Sequence, residues 1–155
     1  DVYKRQVQAQ LSDGPLVSSE QMSVGGADTV RGYLESEAIG DTGVNGTIEV
    51  RTPEIGQWLQ KAVHGENATD EAGNKLANLM RDWRLFGFVD AGTVMIHEPL
   101  PDQASSFTLW SYGVGTRFKL LENFEGSITY AVPMIDEGET KATEPRVLFS
   151  ASGSF

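Results

Sequence analysis

The chain reads Trp110-Ser111-Tyr112-Gly113-Val114-Gly115-Thr116-Arg117-Phe118-Lys119-Leu120 in its C-terminal half. Every second residue, starting from Trp110, is large, and most of these residues are apolar. The residues between them are small, polar or charged. This period of two is typical of a β-strand, because successive side chains of a strand point to opposite faces of its sheet. The stretch therefore predicts a strand with one apolar and one polar face.

Five further stretches are predicted as strands, at residues 7–12, 44–51, 84–96, 124–132 and 146–155. Most of the six are about 9–13 residues long, which is longer than the usual soluble strand of about 5–6 residues. Their length is close to the roughly 9–11 residues of a tilted strand that crosses a bilayer. The pattern alone leaves two all-β folds open, a transmembrane β-barrel and an antiparallel β-sandwich.

Composition excludes several classes of protein. The chain has 155 residues, enough for one domain, with 12 Lys and Arg against 22 Asp and Glu and a net charge of −10. This acidic balance argues against a nucleic-acid partner and against a basic membrane-surface patch. The absence of cysteine excludes disulfides and thiolate metal sites.

Two connections between the predicted strands are long. Residues 13–42 form a loop far beyond the usual hairpin loop of about 2–5 residues. Residues 52–82 are interpreted as a helical insertion of two short helices, with Leu76, Leu79, Met80 and Trp83 on one face of the second. Residues 1–6 resemble the translated end of a sequencing adapter, so we interpret residues 7–155 as the native part, derived from the C-terminal region of a longer protein.

Two charged residues in apolar surroundings are candidates for a buried ion pair. Residues 23–33 of the long loop read Ser-Val-Gly-Gly-Ala-Asp-Thr-Val-Arg-Gly-Tyr, and residues 88–92 of a predicted strand read Phe-Val-Asp-Ala-Gly. Arg31 and Asp90 are costly to bury unless they are paired. A bond between the loop and the strand would satisfy both. The alternative is that Arg31 lies on the surface and Asp90 at a strand end.

These two motifs, in this order, resemble those of the two-partner secretion transporters, outer-membrane barrels that export haemolysins and adhesins. The superfamily also contains the BAM and TAM assembly barrels. The resemblance implies that Val30, Arg31, Gly32 and Tyr33 form the tip of a loop inserted into the barrel lumen. It assigns Phe88, Asp90 and Gly92 to the lumenal strand motif that binds this tip, with Asp90 bonded to Arg31.

The resemblance also implies a sixteen-stranded barrel, of which this chain contains the last six strands. Four charged residues would face the lumen, namely Glu49, Arg51, Arg117 and Lys119. Phe155 would be the terminal aromatic signal for barrel assembly. The 52–82 insertion departs from the family, whose periplasmic turns are usually short.

The implied function is passage of an unfolded exoprotein across the outer membrane of a Gram-negative bacterium, without ATP and without enzymatic activity. The expected partners are the secreted exoprotein, the barrel-assembly machinery and outer-membrane lipid, and no nucleic acid, cofactor or metal is expected. Periplasmic POTRA domains would lie upstream. One alternative is an assembly factor of the BAM or TAM type, and an alternative of another class is a secreted soluble β-sandwich used in adhesion.

Overall fold

A computed structural model describes residues 2–55, 80–120 and 124–153 of the chain. These residues form eight β-strands: β1 (Tyr3–Gln10), β2 (Met22–Val24), β3 (Ala38–Gly40), β4 (Thr42–Arg51), β5 (Met80–Met95), β6 (Ser106–Leu120), β7 (Phe124–Pro133) and β8 (Arg146–Gly153). No helix within the described ranges is long and apolar enough to cross a membrane.

Six of the strands form one antiparallel sheet in the order β1-β4-β5-β6-β7-β8. Each predicted strand corresponds to one of these six, so the all-β prediction is confirmed. The remaining two, β2 and β3, pair with each other inside the long loop. The sheet is open, and within the described residues β1 and β8 each have one unpaired edge. A single meander of neighbouring strands differs from the two packed sheets of a sandwich.

The two faces of the sheet differ as the period of two predicts. One face, the outer face, has a continuous apolar surface that is open to the surroundings, and Phe149 on it is 84 % exposed. Other exposed members are Val44, Ile48, Val50, Leu85, Val89, Tyr112, Val114, Ile128, Tyr130 and Val147. The other face, the inner face, is covered by the loop between β1 and β4. The buried core lies between this loop and the inner face.

The core contains apolar residues from both layers, namely Met22, Val24, Val30, Tyr33, Ala38, Val94 and Leu109. The loop supplies the first five and the sheet the last two. A loop of this length is ordered here because it buries its own apolar side chains against the sheet. The sheet therefore has an exposed apolar outer face and an inner face whose apolar side chains are buried beneath the loop.

Two strand boundaries differ from the prediction. Strand β1 covers residues 3–10 instead of 7–12 and pairs with β4 from Tyr3 onward. Strand β5 begins at Met80, so the prediction that the helical insertion reaches residue 82 is wrong at that end. The apolar spacing of Met80 and Trp83 predicts a helix, but pairing with β6 decides the conformation of this segment. Trp83 Nε1 donates to Thr116 Oγ1 at 2.7 Å. The rest of the insertion, residues 56–79, and the terminal Phe155 lie outside the described residues.

Candidate functional site on the covered face

The tip of the loop lies flat against the inner face of β5. Val30, Arg31 and Tyr33 are all buried there. Gly32 between them has a φ of +98°, a left-handed conformation that favours glycine. Gly92 of β5 leaves the space for this approach, since a Cβ at that position would lie 3.2 Å from the side chains of Val24 and Val30. The two glycines let a loop and a strand meet without intervening side chains.

Arg31 forms a two-pronged ion pair with Asp90 of β5. Its Nε donates to Oδ2 at 2.7 Å and its Nη2 donates to Oδ1 at 2.9 Å. The backbone N–H of Arg31 donates to the same Oδ2 at 3.1 Å. Asp90 is 0 % exposed. Because bidentate pairs between guanidinium and carboxylate are strong and direction-specific, this contact fixes both the position and the orientation of the tip.

A second carboxylate, Glu49 of β4, joins three arginines. Arg31 Nη1 donates to Glu49 Oε2 at 3.0 Å, and Arg51 Nε donates to Oε1 at 2.8 Å. Arg117 of β6 contributes two bonds, at 2.7 Å to Oε1 and 3.2 Å to Oε2. Glu49 is 1 % exposed. The sequence placed Glu49 and the two strand arginines on one face but did not predict that they form one network, which we call the arginine network (Arg31, Glu49, Arg51, Asp90, Arg117).

Two aromatic rings form the floor of the arginine network. The guanidinium carbon of Arg31 lies 3.5 Å from the ring centroid of Phe88, and that of Arg117 lies 4.4 Å from the centroid of Phe86. Stacked guanidinium groups gain cation–π attraction and leave their N–H edges free for carboxylates. Burial alone would lower the pKa of Arg31, but Asp90 and Glu49 outweigh it and raise the pKa above its ordinary value. The tip is therefore permanently cationic.

Tyr33 attaches the tip to strands further along the sheet than β5. Its hydroxyl lies 3.0 Å from the carbonyl oxygens of Trp110 and Ile135 and accepts a bond from the Ile135 N–H at 3.1 Å. These groups belong to β6 and to the connection between β7 and β8. All four residues of the tip motif, Val30 to Tyr33, therefore contact the wall formed by β5, β6 and β7.

The remaining predicted residues are placed apart from the network. Lys119 shares the inner face but pairs with Glu125 of β7, with 3.1 Å between Nζ and Oε1. Phe155 lies outside the described residues. Within the described ranges, no group of three or more His, Asp or Glu side chains is arranged to hold a metal ion.

Asp41, which sequence reasoning missed, anchors the base of the loop just before β4. Its Oδ1 accepts from the Leu16 N–H at 2.8 Å and from Gln21 Nε2 at 2.9 Å, and its Oδ2 accepts from the His97 N–H at 2.8 Å. The bonds from Gln21, His97 and Leu16 lower the pKa of Asp41 to about 2. The carboxylate thus joins both ends of the loop to the connection that follows β5.

Acidification should leave this anchor intact until the pH approaches the lowered pKa of Asp41. The ordinary pKa is 3.8 and the folded-state value about 2, so its contribution to stability is complete above the first value and is lost as the pH falls through the second. Hydrogen exchange at Leu16 and His97, corrected for intrinsic rates, checks this in the full-length protein between about pH 5 and about pH 2. Loss of protection already above the ordinary pKa would contradict the assignment. At neutral pH, Asp41→Asn should accelerate exchange of at least one of the two amides, because its NH₂ group replaces one of the two oxygens that accept from Leu16 and His97.

Comparison with protein families adds independent information. Residues 2–68 match the family model of the haemolysin secretion/activation proteins ShlB/FhaC/HecB. The resemblance to two-partner secretion transporters is confirmed. The match covers the loop with Arg31 and the strand with Glu49, and it ends before the strand that holds Asp90. No curated protein and no solved structure gave a significant match.

The proteins of this family are outer-membrane transporters of Gram-negative bacteria that serve haemolysin secretion. The all-β fold with its exposed apolar outer face is consistent with this family. The family is one of secretion transporters rather than of enzymes. The arginine network joins the loop to strands β4, β5 and β6 through ion pairs.

Proposed function

We propose that this chain is part of an outer-membrane pore that exports a large exoprotein of the haemolysin or adhesin type without ATP. The observation that carries the proposal is the position of Arg31, at the tip of a long loop that lies on the inner face of the sheet and is bonded to Asp90. In a closed barrel the inner face becomes the wall of the lumen. A loop held there would narrow the pore, and its release would widen it.

The distribution of polarity supports this placement. The exposed apolar outer face suits lipid, while the inner face carries Glu49, Arg51, Arg117 and Lys119. These four side chains would line the path of the exoprotein. The arginine network would hold the loop until the exoprotein arrives. The other charged side chains would keep the wall of the lumen hydrated, so that an unfolded exoprotein binds to it only weakly.

The proposal includes the parts that the resemblance implies. The six strands would belong to a sixteen-stranded barrel, POTRA domains would bind the exoprotein in the periplasm, and Phe155 would present the terminal strand to the barrel-assembly machinery. The insertion at residues 56–79 would lie on the periplasmic side, because it follows the end of β4 that is opposite the tip loop.

An assembly factor of the BAM or TAM type is the second candidate, since its barrels carry a similar tip motif. The family match of residues 2–68 favours secretion. To distinguish the two roles, the full-length protein is expressed in a Gram-negative host together with a large exoprotein encoded by a neighbouring gene. We expect the exoprotein in the medium only when the transporter is present. Unchanged secretion, together with fewer outer-membrane proteins after deletion, would support the assembly role instead.

In aqueous buffer without detergent, the isolated chain should aggregate. Its outer face exposes a continuous apolar surface, and among the strands that the structure describes β1 and β8 each have an unpaired edge; both features favour association between chains. Size-exclusion chromatography with and without detergent measures this. A monomeric product that melts cooperatively in water would contradict the membrane-barrel proposal and favour a soluble β-sheet protein.

A further inference from the structure

Glu37 makes a further attachment of the loop, separate from the arginine network and from the contacts of Tyr33. The carboxylate of Glu37, six residues after Arg31, reaches the connection between β7 and β8. Its Oε1 accepts from the backbone N–H groups of Glu139 at 3.0 Å and Thr140 at 2.8 Å. Its Oε2 accepts from the Thr140 hydroxyl and from the Leu34 N–H, the latter at 2.7 Å. We call this contact the Glu37 latch (Glu37 with Glu139 and Thr140).

The receiving turn is shaped around a carboxylate. Residues Glu137 and Thr140 pair with each other, at 3.0 Å and 2.8 Å, so the Thr140 N–H is shared between Glu137 O and Glu37. Gly138 within the turn has a φ of +51°, and a Cβ there would lie 2.9 Å from Glu37 Oε1. Two successive N–H groups that converge on one oxygen form an anion-binding concavity. Thr140 is almost completely buried by the contact.

Charge on the receiving connection opposes the latch, while hydrogen bonds favour it. Residues 134–145 contain four acidic side chains, Asp136, Glu137, Glu139 and Glu144, against one base, Lys141. Burial would raise the pKa of Glu37, but the bonds from Thr140, Leu34 and Glu139 outweigh it and lower the pKa below its ordinary value. Glu37 is therefore ionised at neutral pH among like charges. A contact held by short bonds against repulsion should open more easily than the arginine network, in which opposite charges meet.

We propose that Glu37 is a positioning residue that holds the loop to the β7–β8 connection, and that this latch opens independently of the arginine network. The proposal rests on the proposed function, because it describes how the tip loop is held in the pore. The loop would then be held at β4 and β5 through Arg31, at β6 and Ile135 through Tyr33, and at residues 139–140 of the β7–β8 connection through Glu37. Opening of the latch alone would separate the loop from residues 139–140 while Arg31 and Tyr33 stay bound.

Hydrogen exchange in the purified full-length protein in detergent tests this. In Glu37→Ala, exchange of the Glu139 amide, followed in peptides covering residues 134–145, should accelerate by at least about tenfold, because this amide loses its acceptor. The Thr140 amide should accelerate less, since it keeps its bond to the carbonyl oxygen of Glu137. Peptides covering residues 29–33 should keep their protection, since Arg31 remains bonded to Asp90. Thr140→Val should accelerate the same amides by a smaller factor, as it removes only the hydroxyl donor.

Glu139→Ala is the matched control, because only the backbone of Glu139 takes part in the latch. This variant removes a carboxylate that repels Glu37 from the same turn, so exchange at both peptides should stay the same or slow, and should not accelerate. Folding of each variant is checked by gel electrophoresis without heating, in which the folded barrel should migrate as the wild type does. Unchanged exchange at residues 134–145 in Glu37→Ala would overturn the latch, and equal loss of protection at residues 29–33 would overturn its independence. Exchange does not depend on secretion, so failure of the latch and failure of the proposed function give different results.

Discussion

Replacing Arg31 by alanine should abolish most secretion by the full-length protein while the barrel stays inserted in the outer membrane. The change removes every side-chain donor to Asp90, which is completely buried, and one donor to Glu49. Leaving a buried charge without its partner costs about 3–5 kcal/mol when burial is deep. A wet lumen reduces this cost to about 1–3 kcal/mol. Such a change still shifts the equilibrium between the bound and the released loop, so that the loop is released in most molecules.

The two partners should not be equivalent. Asp90→Ala leaves Arg31 bonded to Glu49, so we expect a smaller loss than in Arg31→Ala. The double variant should be little worse than Arg31→Ala alone, because the second change removes a charge that is already unpaired. Exoprotein in the medium, relative to the amount of inserted transporter, measures each variant. Strictly additive losses would show that Arg31 and Asp90 act separately and would contradict their pairing in the arginine network.

Exchanging the charges, in Arg31→Asp with Asp90→Arg, should restore little function. The guanidinium of Arg31 also bonds Glu49 and stacks on Phe88, and an aspartate at the tip would instead face Glu49. The planar arrangement of the guanidinium N–H donors, and not charge alone, holds the loop. Full recovery of secretion in the exchanged variant would contradict this account.

Much of this architecture is predictable from local pattern. The period of two identifies six strands and sorts their side chains into two faces, because that period is a property of the extended backbone. The pairing of Arg31 with Asp90 follows from the cost of burying either charge alone, together with the resemblance of the two motifs. These inferences need no knowledge of which strand lies beside which.

The parts that could not be predicted depend on register and on loop packing. Parity places Glu49 and Arg117 on one face, but their contact also requires the order of β4, β5 and β6 and the pairing of Glu49 with Phe88. The Glu37 latch joins residues about 100 positions apart, through backbone N–H groups that carry no sequence signal. Asp41 was missed for the same reason, since two of its three donors are main-chain groups.

Replacing Glu49 by alanine should loosen both the loop and the wall of the sheet, a broader effect than loss of Asp90. Glu49 is buried and accepts bonds from Arg31, Arg51 and Arg117, so its removal leaves three cations around a single remaining carboxylate, Asp90. The wet lumen reduces the cost of breaking a deeply buried pair here as well, since Arg51 and Arg117 are partly exposed, so we expect destabilisation of about 1–3 kcal/mol. Secretion should fall, and the temperature at which the folded barrel converts to the slower-migrating unfolded form should drop.

Glu125→Ala is the control for Glu49, because its carboxylate also pairs with a cation on the inner face but is largely exposed. An exposed pair of this kind contributes about 0–1 kcal/mol, so this variant should secrete normally. Glu49→Gln should resemble Glu49→Ala more than the wild type, since its amide N–H₂ would face an arginine that needs an acceptor. Adding Arg117→Ala to Glu49→Ala should recover part of the lost thermal stability by removing one unpaired cation. If the added change instead destabilises the barrel further, Arg117 contributes through stacking on Phe86 and not through Glu49, and the network divides into two independent contacts.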